Sequence, residues 1–173
     1  MTHKAALRMR TKTLIEAAGI LPAMRVAVSR YVPTTDEALP FVLIYTPRET
    51  MGADGDARSG VPAFVSTVAL SIVARVRVAS EDLLDAALDA LEAAIYAATI
   101  KNPAWWGDDV EGVESIDVDT EAGETDGIVG QVSMSMSVLY RVDFPPDVDD
   151  DLDVVAVSRA GGGGAFIDNL KGE

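Results

Sequence analysis

Apolar and polar positions alternate over two long stretches of this chain, and that alternation sets most of its expected architecture. Phe64, Val68, Leu70, Ile72, Val76 and Val78 share one parity, with Thr67, Ser71, Arg75 and Arg77 on the other. The spacing predicts a strand over Phe64–Val78 with one face in a core and one face wet. Fully extended it spans roughly 50 Å, far beyond the usual strand of about six residues. Strands of that length commonly project past their own domain, as hairpin arms do. A second one-parity face, Val132, Met134, Met136, Val138, Tyr140, Val142 and Phe144, stands against Gln131, Ser133, Ser135, Ser137 and Arg141. It predicts a closing strand over Ile128–Phe144.

Between the two lies a helical period. Leu84, Leu88, Leu91 and Ile95 recur at i, i+4, i+7 and i+11, while Asp82, Asp85, Asp89 and Glu92 fall largely opposite. This predicts an amphipathic helix over Glu81–Ile100 that packs on the sheet. Ser80 stands at the N-cap position, and Glu81 and Asp82 occupy the first turn, where the helix dipole favours acids.

The remaining signals are shorter. Residues 4–18 read as a helix stopped by Gly19 and Pro22, with a thin stripe of Leu7, Leu14 and Ala18. Met24–Val32 alternates, Met24, Val26 and Val28 inward against Arg25 and Ser29, and reads as a half-buried strand. Leu39–Tyr45 is continuously apolar, which predicts a strand at Phe41–Tyr45 covered on both faces. Thr46–Gly60 mixes glycines with charges and reads as an exposed loop. Asn102-Pro103 ends the helix and leaves Trp105-Trp106 in a loop. Val113–Asp119 alternates weakly, Glu121–Gly127 reads as a turn, and the segments on either side of it form a β-hairpin. Pro145-Pro146 closes the core. The expected fold is α+β: a mixed, mainly antiparallel sheet with long strands, one major amphipathic helix and an N-terminal helix beside it. Residues 1–146 form the domain, and 147–173 an acidic, glycine-rich tail or docking segment.

Charge sharpens this picture. Residues 1–30 carry six basic side chains and one acidic, whereas 80–173 carry four basic and twenty-two acidic, within a net charge of −14. Such polarity suits oriented stacking of copies, or is simply a solubilising acidic end. It argues against a protein that grips a phosphate backbone. The absence of cysteine excludes disulfides and thiolate metal sites. No apolar run is long enough to span a bilayer, and the first residues lack a signal-peptide pattern, so the expectation is synthesis in the cytoplasm with no membrane partner.

Few residues offer chemistry. Asp147, Asp149, Asp151 and Asp153 alternate as in a calcium loop, but Leu152 and Ser158 stand where glycine and a bidentate glutamate belong. His3 is terminal, and Gly161–Gly164 lacks the Lys-Ser/Thr of a phosphate loop. Asp117, Asp119 and Glu121 pair carboxylates without a nucleophile or oxyanion donor beside them. No catalytic, cofactor or metal site is expected. Candidate interface residues are Arg48, Glu49, Asp54, Asp56, Arg58, Arg75, Arg77, Trp105 and Trp106. The tryptophans serve equally well as rim residues of the helix–sheet core.

The succession from Leu14-Ile15-Glu16-Ala17-Ala18 through Leu39-Pro40-Phe41-Val42-Leu43-Ile44-Tyr45, the charged loop, Val68–Val78, Glu81-Asp82-Leu83-Leu84-Asp85 and the strand reaching Tyr140 resembles the tail terminator proteins of long-tailed, lambda-like bacteriophages. The resemblance covers roughly residues 4–144, and the extension after Pro146 departs from that compact pattern. It implies a homo-oligomeric, hexameric ring in the virion, at the head-proximal end of the tail. Such a ring caps the tail tube, ends its polymerisation and meets a head-completion or neck protein, with no bond broken. DNA would pass through without specific binding, and Asp117, Asp119 and Glu121 are the candidate lumen acids. A head–tail connector or other minor virion protein, and a small non-viral binding module, are the alternatives.

Overall fold

The computed structural model describes residues 2–20, 25–28, 39–55, 63–125 and 127–143. By its contacts the chain divides into Met1–Asp143 and Phe144–Glu173. The expected tail at 147–173, Asp56 and Arg58 lie outside the described residues.

Helix α1 (His3–Ala18) is followed by strands β1 (Arg25–Val28), β2 (Phe41–Ala53) and β3 (Ala63–Val78). A 3-10 turn (Glu81–Leu83) leads into α2 (Leu84–Ala98), then the short α3 (Pro103–Trp106), β4 (Gly112–Thr125) and β5 (Gly127–Asp143). The five strands form one sheet in the order β1-β2-β3-β5-β4, antiparallel except for the parallel β1–β2 pair. The mixed, mainly antiparallel α+β plan expected from the sequence is the one observed.

The even positions of β3, Ser66 to Val76, are buried without exception, as the parity predicts. They share the covered face with Val42, Ile44, Val132, Met134, Met136 and Val138, and meet Leu84, Leu88, Leu91 and Ile95 of α2. Gly130 lets the helix approach this closely: a Cβ there would lie 2.6 Å from Leu84 Cδ1 and 2.8 Å from Leu88 Cδ2. Gly19 ends α1 at φ +55, where its N–H reaches Glu16 O at 3.2 Å.

Five expectations need correction. The α1 face that is buried consists of Leu7, Thr11 and Ile15, not the Leu7–Leu14–Ala18 stripe, and Ala18 is exposed. A strict i, i+4 face carries a threonine there, which hydropathy alone passes over. Phe41–Tyr45 is not covered on both faces, because the helices lie on one side only and Leu43 and Tyr45 are half-exposed. Arg48–Ala53 is not loop but the outer half of β2, paired with Phe64–Ala69 beyond a bulge at Thr46–Pro47. Backbone pairing needs no buried side chain, so a charged stretch extends as a hairpin. Likewise Glu121–Thr125 is strand, the hairpin turning only between Thr125 and Gly127. Trp105 and Trp106 sit in α3 rather than a loop, with Asn102 Oδ1 accepting from Ala104 N at 3.0 Å.

Candidate assembly surface

With both long helices on one side, the other face of the sheet is bare of secondary structure among the described residues. Strand register fixes what it presents. Four rows run across it from β1 or β2 to β4: Arg25–Phe41–Arg75–Gln131–Glu121, Ala27–Leu43–Val73–Ser133–Asp119, Tyr45–Ser71–Ser135–Asp117 and Arg48–Ala69–Ser137–Ser115. Each row changes chemistry along its length. The β1–β3 side holds arginines around half-exposed Leu43, Tyr45 and Val73, the middle is Gln131 and then serine, and the β4 edge carries Glu121, Asp119 and Asp117 before it ends at Ser115.

Short polar contacts tie the serine band together. Ser115 Oγ donates to Ser137 Oγ at 3.1 Å, and Gln131 Nε2 donates to Ser133 Oγ at 3.0 Å and to Glu121 Oε2 at 3.4 Å. Phe41 and Val129 are nearly buried yet stand apart from the main core. They lie on this face beside their pair partners Arg75 and Arg77. The Nε of Arg75 is buried and has no hydrogen-bond partner among the described residues. Asp117, Asp119 and Glu121 are all exposed, two residues apart along the edge strand, so the pleat puts them on one face.

The other interface candidates are not gathered here. After the bulge Glu49 points to the helix side, where its side chain is 16% exposed. It accepts from Lys4 Nζ at 2.9 Å, from Ser66 Oγ at 3.0 Å and from the Tyr140 hydroxyl. Burial pushes the Glu49 carboxyl up, but those three hydrogen bonds and the Lys4 charge outweigh it and hold the pKa below the ordinary value. Burial first, and then the bond to Glu49, push the Tyr140 pKa up to about 12. His3 stacks on the Tyr140 ring at 4.9 Å and approaches Asp109, which pairs with Arg10 at 2.6 Å. This polar seam fastens α1 to the outer half of the β2–β3 hairpin. The sequence pattern missed it, since Glu49 sits 45 and 91 residues from Lys4 and Tyr140.

Asp54 pairs with Arg141 Nε at 2.9 Å near the hairpin tip. Trp105 is wholly buried and offers no surface, its Nε1 donating to Thr11 Oγ1 at 3.0 Å. Trp106 is half-buried against it, donating to Ile100 O at 2.9 Å. Among the described residues no group of three or more His, Asp or Glu side chains is arranged to hold a metal ion. No described helix is long and apolar enough to cross a membrane.

No protein-family model matches the chain, and no curated protein matches it. Among solved structures it is similar to a chain from the virion of a native gene transfer agent particle. The two are 14% identical with a TM-score of 0.46, over 82% of this chain and all of that one. At that distance the likeness carries nothing about function.

Proposed function

We propose that the protein is a structural virion component that caps a phage tail tube as a ring, a hexamer as the tail-terminator resemblance implies, stops tube growth and offers the surface for head–tail joining. The observation that carries this reading is the sheet face opposite the helices, bare of secondary structure among the described residues, which runs from a cationic, partly apolar side to an anionic edge. Such a surface suits oriented contact between macromolecules, and its register-matched rows repeat over about 20 Å at roughly 3.3 Å per residue. The element order behind the tail-terminator resemblance supports it as well: α1, the apolar strand, the hairpin, α2 and the long closing strand occur in that succession. In this role the protein works by complementarity at two faces, with tail-tube protein on one and a neck protein on the other. The edge acids Asp117, Asp119 and Glu121 are then the lumen lining past which DNA slides.

The test is solution mass by light scattering across salt and concentration, followed by negative-stain imaging with tail tubes added. Six 18.3 kDa chains scatter as a ring of about 110 kDa. Closed rings, formed alone or driven by tubes, support the reading. A monomer or dimer indifferent to tubes overturns it.

A further inference from the structure

The sheet face opposite the helices has a cationic, apolar half where three arginines have no ion-pair partner among the described residues. Leu43, Tyr45 and Val73 are half-exposed at its centre, Arg25 and Arg75 lie at one end of the rows and Arg48 at the other. Among the described residues Arg25, Arg48 and Arg75 have no ion pair. The basic residues of α1 differ, because they are already engaged. Lys4 pairs with Glu49, Arg10 with Asp109 and Lys12 with Glu16, and Arg8 donates to Thr46 Oγ1.

On the opposite side of the molecule the imbalance reverses. The stretch from Glu81 to Ala98 contains five acids and no Lys or Arg. Glu81, Asp82, Asp85 and Asp89 are exposed, and none of the five has an ion-pair partner among the described residues. Ala86, Ala90 and Ala93 lie exposed beside them and keep the outer helix surface flat. The dimensions agree. From Arg75 to Ala69, the partner of Arg48, β3 advances about 20 Å, and from Asp82 to Glu92 the helix advances about 15 Å.

We infer that the β1–β3 half of the sheet face of one copy docks on the acidic outer face of α2 of a second copy, back to front. Arg25 and Arg48 face the acidic row that runs from Asp82 to Glu92, with Asp85 and Asp89 at its middle, around an apolar contact of Leu43, Tyr45 and Val73 with the helix alanines. The contact is heterologous: each copy uses both surfaces once, so repetition closes a ring or runs on as a filament. It also sets the lateral offset. Helix α2 lies over β3 and β5, whereas the docking patch centres on β2. With strands in the same order, each copy is displaced sideways by one to two strand spacings, about 5–10 Å. The β4 edge of the displaced copy then overhangs, and its own acids, repelled by a neighbouring acidic helix, stay uncovered.

This inference rests on the ring reading and names its contact, and charge swaps separate the two. Arg25→Glu with Arg48→Glu, and separately Asp85→Lys with Asp89→Lys, are compared with the wild-type chain and with all four changes together. All four positions are exposed, and thermal unfolding checks that each variant folds. Analytical ultracentrifugation at low salt, with and without tail tubes, reads the self-association. Each double variant should associate about tenfold more weakly or worse, and the quadruple variant should recover most of that loss. Double variants that assemble like wild type overturn this contact and leave the ring reading standing. A quadruple variant no better than either double variant also overturns it. A wild-type chain that stays monomeric even with tubes overturns both.

Discussion

Trp105 Nε1 donates to Thr11 Oγ1 at 3.0 Å, and both side chains are fully excluded from solvent. The Thr11 hydroxyl in turn donates to Leu7 O at 2.8 Å, so one oxygen satisfies an indole and a helix carbonyl. The bond joins α1 to α3 across 94 residues of sequence. Replacing Thr11 with valine keeps the shape and strands the indole N–H in an apolar setting. Thr11→Val should therefore destabilise the domain by about 1–3 kcal/mol, measured by urea unfolding, with Thr11→Ser recovering most of it. Equal stability of the valine variant would mean the indole finds another acceptor.

Gly130 is the point of closest approach between α2 and the sheet. A methyl group there meets the ends of Leu84 and Leu88, both nearly buried in the core, so neither moves freely. Gly130→Ala should cost about 1–3 kcal/mol by overpacking. Thermal unfolding of that variant with and without Leu88→Ala measures the coupling, and the pair should be non-additive because the second change vacates the contested space.

How much of this could be read from the sequence depends on which physical signal each element carries. β3, β5 and α2 declare themselves because burial is one-sided and periodic, and their buried positions match the pattern closely. The outer half of β2 did not, since Arg48, Thr50 and Gly52 face solvent and the strand is held there by backbone pairing, which leaves no mark on hydropathy. Backbone pairing likewise makes Glu121–Thr125 strand. Thr11 and Trp105 were missed as core partners because their bond depends on a contact between chain segments far apart. Asp117, Asp119 and Glu121 share one exposed face, as their alternate spacing requires. That Arg25 and Arg75 lie in one row with Glu121 follows only from strand order and register, which no local window contains.

The Glu49–Tyr140 bond gives the domain two pH limits. The Glu49 pKa is lowered in the folded state, so its contribution is present above the ordinary carboxyl value of 4.5 and is lost as pH falls through the folded value. The Tyr140 pKa is raised from 10.0 to about 12, so its contribution is complete below pH 10.0 and is lost as pH rises toward 12. The difference in melting temperature between wild type and Glu49→Gln should be largest near neutral pH and shrink below pH 4.5. A difference independent of pH on the acid side would remove the carboxylate as its cause.

The proposed lumen role of the edge acids is testable without disturbing the fold. Asp117, Asp119 and Glu121 are exposed and form no ion pair among the described residues, Glu121 taking only the long bond from Gln131. Replacing them with Asn, Asn and Gln keeps their size, and the triple variant should unfold within about 0.5 kcal/mol of wild type per site. Assembly should likewise persist, because these residues lie outside the inferred copy-to-copy contact. The effect should appear when DNA passes. Three carboxylates per copy repel phosphate only at short range, since the screening length is about 8 Å at physiological ionic strength. Their loss should slow DNA ejection by letting the duplex settle against the wall, and high salt should narrow the gap between variant and wild type. Ejection kinetics and infectivity of particles carrying the triple variant measure this directly. Particles that assemble normally and eject DNA at the wild-type rate at every salt concentration would place these acids outside the DNA path.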